Sequence, residues 1–216
     1  MARVFISGGT GYVGRALVER LVSSGHDVRV LARAGSEGKV APGAELVRGN
    51  ALAAGTFAQH VASCDTYVHL TGVSHPAPWK GRAFRSIDLA SLRASATAAK
   101  KGGVAHFIYV SVAQPAPVMK AYIRVRQECE GILADERLVS TILRPWYVLG
   151  PGHRWPVVLI PVYKVLESIG PTREAARRLG LVKLDEMTGA LRWAVENPAT
   201  ETRVLDVPLI RDLAIF

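Results

Sequence analysis

The sequence predicts an α/β fold, a doubly wound parallel sheet with helices on both faces and a small C-terminal cap. Three observations carry this. Strand-like and helix-like segments alternate almost without a break from Arg3 to Leu143, as right-handed β-α-β crossovers require. A glycine-rich turn, Ser7-Gly-Gly-Thr-Gly-Tyr-Val-Gly14, follows the apolar run Val4-Phe5-Ile6 and opens an amphipathic helical pattern. The length of 216 residues suits one such domain with a modest appendage and is enough to bury a sizeable core.

In chain order, the first strand is predicted at Arg3–Ser7. A helix from about Gly11 to Ser24 follows, with Val13, Leu17, Val18 and Leu21 on one face and Gly25 as its stop. A second strand spans Val28–Ala32, and a loop with Gly, Ser and Pro runs to Pro42. A third strand lies at about Glu45–Val47 and a short helix at about Leu52–Val61. The fourth strand, Thr66–Leu70, leads into an irregular stretch, Thr71–Arg82, broken by Pro76 and Pro78. A long alanine-rich helix is expected over about Phe84–Lys101 and ends at Gly102-Gly103. The fifth strand is His106–Val110. The next helix, about Met119–Ala134, has Val125, Cys129, Ile132 and Leu133 on one face, and the sixth strand is about Ser140–Leu143. After Pro145 the pattern changes. Pro151, Pro156 and Pro161 punctuate an apolar segment, followed by a short strand at Leu181–Lys183, a helix at Asp185–Glu196 and a last strand at about Arg203–Val207. We therefore expect a core over 1–150 and a small cap over 151–216 that completes the same domain above the C-terminal edge of the sheet.

The glycine turn is where function first shows. Gly9-Thr-Gly11-Tyr-Val-Gly14 is a GxGxxG, and Gly8, Gly11 and Gly14 form an overlapping GxxGxxG. In either register one glycine permits the tight turn, another lets backbone N–H groups approach a pyrophosphate, and Gly14 lets the helix pack close to the sheet. The positive end of the helix dipole then faces the phosphates. Gly8, Thr10, Gly11, Tyr12, Val13 and Gly14 are accordingly candidate dinucleotide contacts. Arg33 ends the second strand, with no Asp or Glu from Val28 to Ser36. An acidic residue at this position selects NAD, whereas an arginine accommodates the 2′-phosphate of NADP, so NADP(H) is the expected cofactor.

A formal charge of +9 raises the question of nucleic acid. Lys and Arg are scattered, however, with no basic run interleaved with stacking aromatics, and nucleic acid is not expected as a ligand. A phosphorylated cofactor or anionic lipid accounts for the charge as well. Cys64 and Cys129 lack metal spacing and read as reduced core residues of a cytoplasmic protein. The chain opens directly on a strand, which predicts no signal peptide. No apolar stretch reaches the roughly 20 residues that cross a bilayer. No His/Cys/Asp/Glu cluster has metal-ligand spacing.

These residues resemble the short-chain dehydrogenase/reductase superfamily, in its atypical and extended NAD(P)-binding branch. The resemblance covers about 3–150 and continues more weakly to about 207. Ser7–Gly14 is similar to the family's TGxxGxxG, with Ser for Thr. Gly49-Asn50-Ala51 resembles its Gly-Asp-hydrophobic adenine-binding turn, with Asn50 in place of Asp, and implies adenine contacts from Asn50 and Ala51. Val68-His-Leu-Thr-Gly72 resembles the strand end that passes under the ribose, which implicates Leu70, Thr71 and Gly72. Leu143-Arg-Pro145-Trp-Tyr-Val148-Leu-Gly150-Pro151 resembles the segment against which the nicotinamide packs, implicating Pro145 and Val148.

The resemblance also implies a catalytic set: a serine closing the fifth strand and a YxxxK on the next helix. Ser111 and Tyr122 match, but the lysine position holds Arg126, giving Tyr-Ile-Arg-Val-Arg. The family's tyrosine is the general acid/base, its serine steadies the substrate oxygen, and its lysine lowers the tyrosine pKa. Tyr122 and Arg126 share a helix face by i,i+4 spacing, so a cation stays near the phenol. The bland alternative pairs Arg126 with Glu130. Lys120, two residues from Tyr122, points elsewhere, and His75 and His153 are further pocket candidates.

The readings at this stage are three. The first is an oxidoreductase moving hydride between NADP(H) and a small, mostly apolar carbonyl or alcohol, as monomer or homodimer. The second is a non-catalytic NADP(H)-sensing or assembly protein. The third is a sugar-nucleotide epimerase or dehydratase, against which the short chain after residue 150 and Arg126 both speak. The apolar segment 152–170 is expected to pack on the sheet edge, to roof the pocket, or to touch a partner or membrane beside Arg173, Arg177 and Arg178.

Overall fold

The computed structural model describes residues 1–116, 118–151 and 178–213. Its strands are β1 (Arg3–Ser7), β2 (Asp27–Ala32), β3 (Glu45–Arg48), β4 (Thr66–His69), β5 (His106–Val110), β6 (Ser140–Arg144), β7 (Tyr147–Leu149), β8 (Leu181–Lys183) and β9 (Arg203–Asp206). Seven of them form one parallel sheet in the order β3-β2-β1-β4-β5-β6-β9. The order reverses between β1 and β4, and a doubly wound sheet opens its ligand crevice at such a point, beyond the C-terminal strand ends. This is a Rossmann-like α/β fold.

The helices are α1 (Tyr12–Ser23), α2 (Ala58–Val61), a continuous run α3 over 81–101, α4 (Lys120–Asp135), α5 (Leu184–Glu196) and α6 (Val207–Asp212). Both sheet faces are covered, which is why the central strands read as nearly unbroken apolar runs. Side-chain alternation sends Phe5, Tyr67, Phe107 and Tyr109 to the face under α3 and α4. Phe5 pairs in register with Tyr67 and Tyr67 with Phe107, so their rings form a ladder with centroids 5.1 Å apart at each step. Val4, Ile6, Val68 and Ile108 face the other way, against Leu17, Val18 and Leu21 of α1 and Met187 and Leu191 of α5.

The described part of the expected cap extends the sheet rather than roofing it. β9 adds to the free edge of β6, and α5 lies beside α1, where Arg20 bonds Asp185 (2.9 Å) and the Thr188 hydroxyl (3.0 Å). Polypeptide from both sides of position 150 thus shares one apolar layer. A strand that sequence periodicity does not reveal, β7, pairs with β8 in a separate two-stranded sheet, because three residues are too few to show a period. No helix among the described residues is long and apolar enough to cross a membrane. The segment 152–170, His153, Arg173 and Arg177 lie outside the described residues.

Two histidines are buried in the sheet. His69 Nδ1 lies 3.0 Å from the hydroxyls of both Ser7 and Ser95, and Ser95 also takes the Tyr67 hydroxyl at 2.9 Å. His106 Nε2 lies 2.8 Å from the Thr141 hydroxyl. Burial pushes His69 down to about 3 and His106 down to about 4. Both are therefore neutral in the folded chain at pH values where the unfolded chain protonates them. Stability is full above their ordinary pKa of about 6.5 and falls as pH drops toward the folded values. Between about pH 6 and 5 each histidine should remove roughly 1 kcal/mol. Urea unfolding across this window should show that slope, and His69→Gln should lose about half of it. A flat profile would contradict the assignment.

Candidate functional site

The first wall of the site is the turn after β1. Gly8 has φ +81°, and a Cβ there would stand 2.6 Å from the Leu70 carbonyl carbon, so glycine alone allows the backbones after β1 and β4 to touch. A Cβ on Gly14 would stand 2.2 Å from the Gly8 carbonyl oxygen, which explains why α1 can press against the turn. Gly11 caps α1 without a side-chain hydrogen bond, and the first turn carries no acidic residue. This N-terminus, the positive end of the helix dipole, therefore suits an anion.

A cleft of about 650 Å³ opens there. Gly8, Thr10 and Gly11 line it from β1, Leu70, Thr71 and Gly72 from the end of β4, and Arg33, Asn50 and Ala51 from the ends of β2 and β3. These expected residues, scattered along the chain from Gly8 to Gly72, meet because their strands end side by side. Asn50 spends its side-chain oxygen on the Leu52 N–H (3.0 Å), leaving its amide NH2 as a donor. The Thr71 hydroxyl is buried with no hydrogen-bond partner among the described residues. A buried hydroxyl left alone is costly, and a hydroxyl of a bound ligand satisfies it. The glycine cradle, the uncapped helix and this hydroxyl all fit a dinucleotide.

Tyr12, Val13 and Gly14 begin α1 behind the cleft. Gly150 makes room for the Tyr12 phenol, since a Cβ there would overlap Tyr12 Oη. Pro145 and Val148 are not among the described residues that line the cleft. The Pro145 carbonyl accepts the Ala113 N–H (3.0 Å), and Val148 packs into the α1-side core from β7. Among the lining residues that escaped the sequence reading, two are polar and stand near the expected phosphate arginine. Ser36 and Lys39 stand with Arg33 at the β2 end of the cleft. A short 3₁₀ turn at Glu37–Lys39 brings Lys39 round, and nothing in the residue types announced that turn.

The other end of the cleft abuts a buried ionic cluster. Arg126 donates from Nη2 to Asp88 (2.6 Å) and from Nη1 to the Tyr109 hydroxyl (3.0 Å) and the Val110 carbonyl (3.1 Å). Its guanidinium carbon lies 4.9 Å from the centre of the Tyr122 ring, and Phe84 packs on that ring at 4.9 Å. Asp88 is placed by a π-helical turn, Phe84–Leu89, inside α3, which turns Phe84, Asp88 and Leu89 inward. The second Asp88 oxygen accepts the Val73 N–H (3.1 Å). Gly72 touches both systems: it lines the cleft, and a Cβ there would lie 2.8 Å from Arg126 Nη2 and 3.0 Å from Asp88 Oδ1.

The expected alternative partner of Arg126 is thereby corrected. Tyr122, Arg126 and Glu130 follow one another at i,i+4 on α4, but Arg126 turns to Asp88 across the helix pair. Glu130 instead takes Arg144 through two bonds (2.5 and 3.1 Å), Gln114 (2.9 Å) and the Ser111 hydroxyl (2.5 Å). The structure therefore puts Tyr122 with Arg126, and Ser111 with Glu130. Burial would lower the Arg126 guanidinium, but Tyr109, Tyr122 and Asp88 outweigh it and hold it charged. Burial pushes the Asp88 carboxyl above its usual range, against the pull of Arg126. Burial also raises the Tyr122 phenol, with Arg126 pulling it down and Asp88 pushing it up. Asp88 was missed, although a signal exists: between Asp65 and Glu128 it is the single acidic residue.

His75 is exposed, and its carbonyl accepts Lys80 Nζ (2.9 Å). Cys64 and Cys129 are buried and unpaired, and no metal-binding group of residues occurs among the described ones. A shallow depression of about 790 Å³ between α1 and α5 contains Arg20 and Asp185, which bond each other, and none of the residues that line the cleft.

Comparison with known proteins agrees with this geometry. The profile of a family described as NAD(P)H-binding matches residues 8–157. A ceramide reductase of Caulobacter vibrioides (strain NA1000 / CB15N) is 27% identical over 203 residues, 92% of this chain and 59% of that protein. A 3 beta-hydroxysteroid dehydrogenase/Delta 5→4-isomerase of Mycobacterium tuberculosis (strain CDC 1551 / Oshkosh) is 30% identical over 118 residues, 51% of this chain and 32% of that protein. The chain thus spans between about a third and three fifths of these relatives. Among solved structures, the Bordetella bronchiseptica enzyme WbmH in complex with NAD+ superposes with a TM-score of 0.72 at 19% identity, over 100% of this chain and 79% of that one. The UDP-glucose 4-epimerase of Thermus thermophilus in complex with NAD gives 0.70 at 17%, over 99% and 81%. With its glycine turn, its cleft at the reversal of strand order and a family match over most of its length, the chain belongs to the NAD(P)H-binding family.

Proposed function

We propose that the chain is an NADP(H)-dependent oxidoreductase acting on a small, mostly apolar carbonyl or alcohol. One observation carries this reading: a single cleft runs from Arg33, Ser36 and Lys39 at one end to Gly72 at the other, where the Arg126–Asp88–Tyr122 cluster begins. When bound, the nicotinamide cofactor supplies or accepts the hydride. Arg33 and Lys39 hold the 2′-phosphate, the fork of Arg33 matching its oxygens, and Ser36 adds a hydroxyl. The glycine turn and the α1 N-terminus hold the pyrophosphate. Thr71 meets a ribose hydroxyl.

Tyr122 is the proton-handling group. A phenol raised by burial keeps its proton at neutral pH, which suits donation to a carbonyl oxygen and so the reductive direction. Arg126, held by Asp88, keeps a fixed positive charge against the ring while the oxygen passes through its anionic state. Ser111 reaches a substrate oxygen by exchanging Glu130 for it. The ceramide reductase and steroid dehydrogenase relatives support an apolar substrate, as do Phe84 and Val73 beside the cluster.

NADPH should bind more tightly than NADH, by roughly 10- to 100-fold for a charge-assisted contact. Arg33→Asp should shrink or reverse the gap. Calorimetric titration giving equal affinities for both cofactors would remove the NADP assignment.

A second reading, an NADP(H) sensor without turnover, draws on a specific feature. Ser111 is engaged by Glu130, and Tyr122 is covered by Arg126 and Phe84. Tight NADPH binding with no NADPH oxidation across a panel of carbonyls and quinones would favour it.

A further inference from the structure

We infer that the loop tips after β4 and β5 dock the chain on an anionic lipid surface. These two strands are neighbours, so the loops that follow them emerge side by side at the C-terminal edge of the sheet. They stay together where α3 and α4 begin, with a Cβ on Gly81 falling 3.8 Å from the Ala121 Cβ. The first tip exposes Pro76, Pro78 and Trp79, the last at 83% relative exposure, and the second exposes Pro115 and Val118, the last at 54%. Isolated exposed apolar residues are ordinary, but a tryptophan, a valine and three prolines on two adjoining tips form an apolar point. Tryptophan in particular prefers the headgroup layer, where its ring is buried and its N–H stays wet.

Among the described residues, the unpaired charge around this point is positive. Arg82, Lys120 and Arg124 are exposed and form no ion pair among the described residues, and Arg85 shares Glu128 with Arg93. Between Asp65 and Glu128 the chain has a single acidic residue, Asp88, and it is consumed inside the fold by Arg126. Glu128, the acidic residue that remains on this rim among the described residues, is neutralised by Arg85 and Arg93. An apolar tip ringed by cations is the arrangement that binds anionic bilayers, by adding buried apolar area to Coulombic attraction. Nucleic acid would call for a row of stacking faces along a basic groove, and this rim has one tryptophan. The docking itself does not depend on turnover. Its use, passing an apolar substrate from bilayer to Tyr122 at the start of α4, rests on the function proposed above.

The test is flotation of the 216-residue chain with vesicles of phosphatidylcholine alone or mixed with phosphatidylglycerol. The chain should float with the anionic vesicles, stay behind with the neutral ones, and be released by salt. Arg82→Gln with Lys120→Gln should weaken binding on the order of 25-fold, about fivefold per surface charge. Trp79→Ser should weaken it further without changing its salt dependence. The blue shift of tryptophan emission on anionic vesicles should vanish in Trp79→Phe, while the remaining tryptophans serve as an internal reference. NADPH affinity should match the wild type in every variant, since none of these residues lines the cleft, which separates failure here from failure of the cofactor assignment. No flotation at low salt would overturn the proposal, as would flotation unaffected by these substitutions. Equal affinity for duplex DNA that ignores Trp79→Ser would overturn it in favour of a general polyanion site.

Discussion

Tyr122→Phe should cut turnover of a responsive carbonyl by roughly 100- to 10,000-fold, the usual contribution of a positioned proton donor. NADPH affinity and melting temperature should stay near wild type. The substitution removes only the hydroxyl and keeps the ring that packs on Phe84 and under Arg126, so the core around α3 and α4 has no reason to relax. The cofactor cleft is lined by other residues. Steady-state rates with NADPH in excess, alongside calorimetry, check both halves. Turnover that survives the substitution would take Tyr122 out of the chemistry and make Ser111 with Glu130 the place to look for a proton donor.

Asp88→Ala should lower the unfolding free energy by about 3–5 kcal/mol, because it leaves the Arg126 charge buried without its carboxylate. It also frees the Val73 N–H at the cleft wall. The pair bond is short, at 2.6 Å, and neither side chain has solvent to fall back on. Asp88→Ala with Arg126→Met should recover most of the loss, since removing both charges ends the imbalance. Urea unfolding of the four proteins measures this as a double-mutant cycle. Additive losses would show that the pair is not coupled. Asp88→Asn, which keeps an acceptor for Val73, isolates the electrostatic part. The negative charge of Asp88 raises the Tyr122 phenol, so its removal should move the phenol titration, read by ultraviolet absorbance against a Tyr122→Phe blank, to lower pH.

The order of the first six strands and the major helices between them could be read from residue patterns alone. Their signals are local. Period-two and near-continuous apolar runs mark the strands, i,i+4 stripes mark α1 and α4, and glycines stand where helices stop. The glycine turn was equally readable, because Gly8 and Gly14 are required by backbone approaches that no other residue permits. Family resemblance then carried the adenosine and ribose contacts onto Asn50, Ala51, Leu70, Thr71 and Gly72, and the cleft gathers all five.

What remained hidden depends on which side chains meet across elements. Helical spacing put both Tyr122 and Glu130 within reach of Arg126. The choice fell to Asp88, 38 residues earlier, whose inward aim comes from a π-helical turn that no composition signals. Glu130 was in turn claimed by Arg144 at the end of β6 and by Ser111 at the end of β5, strands that become neighbours only in the sheet. The placement of β9 and α5 was hidden for the same reason, since sequence names a strand and a helix but not the edge and layer they complete. Periodic burial and backbone sterics act within a few residues and are written into the chain locally. The pairing of buried charges is a contest among distant partners, and only the packed sheet and its helices settle it.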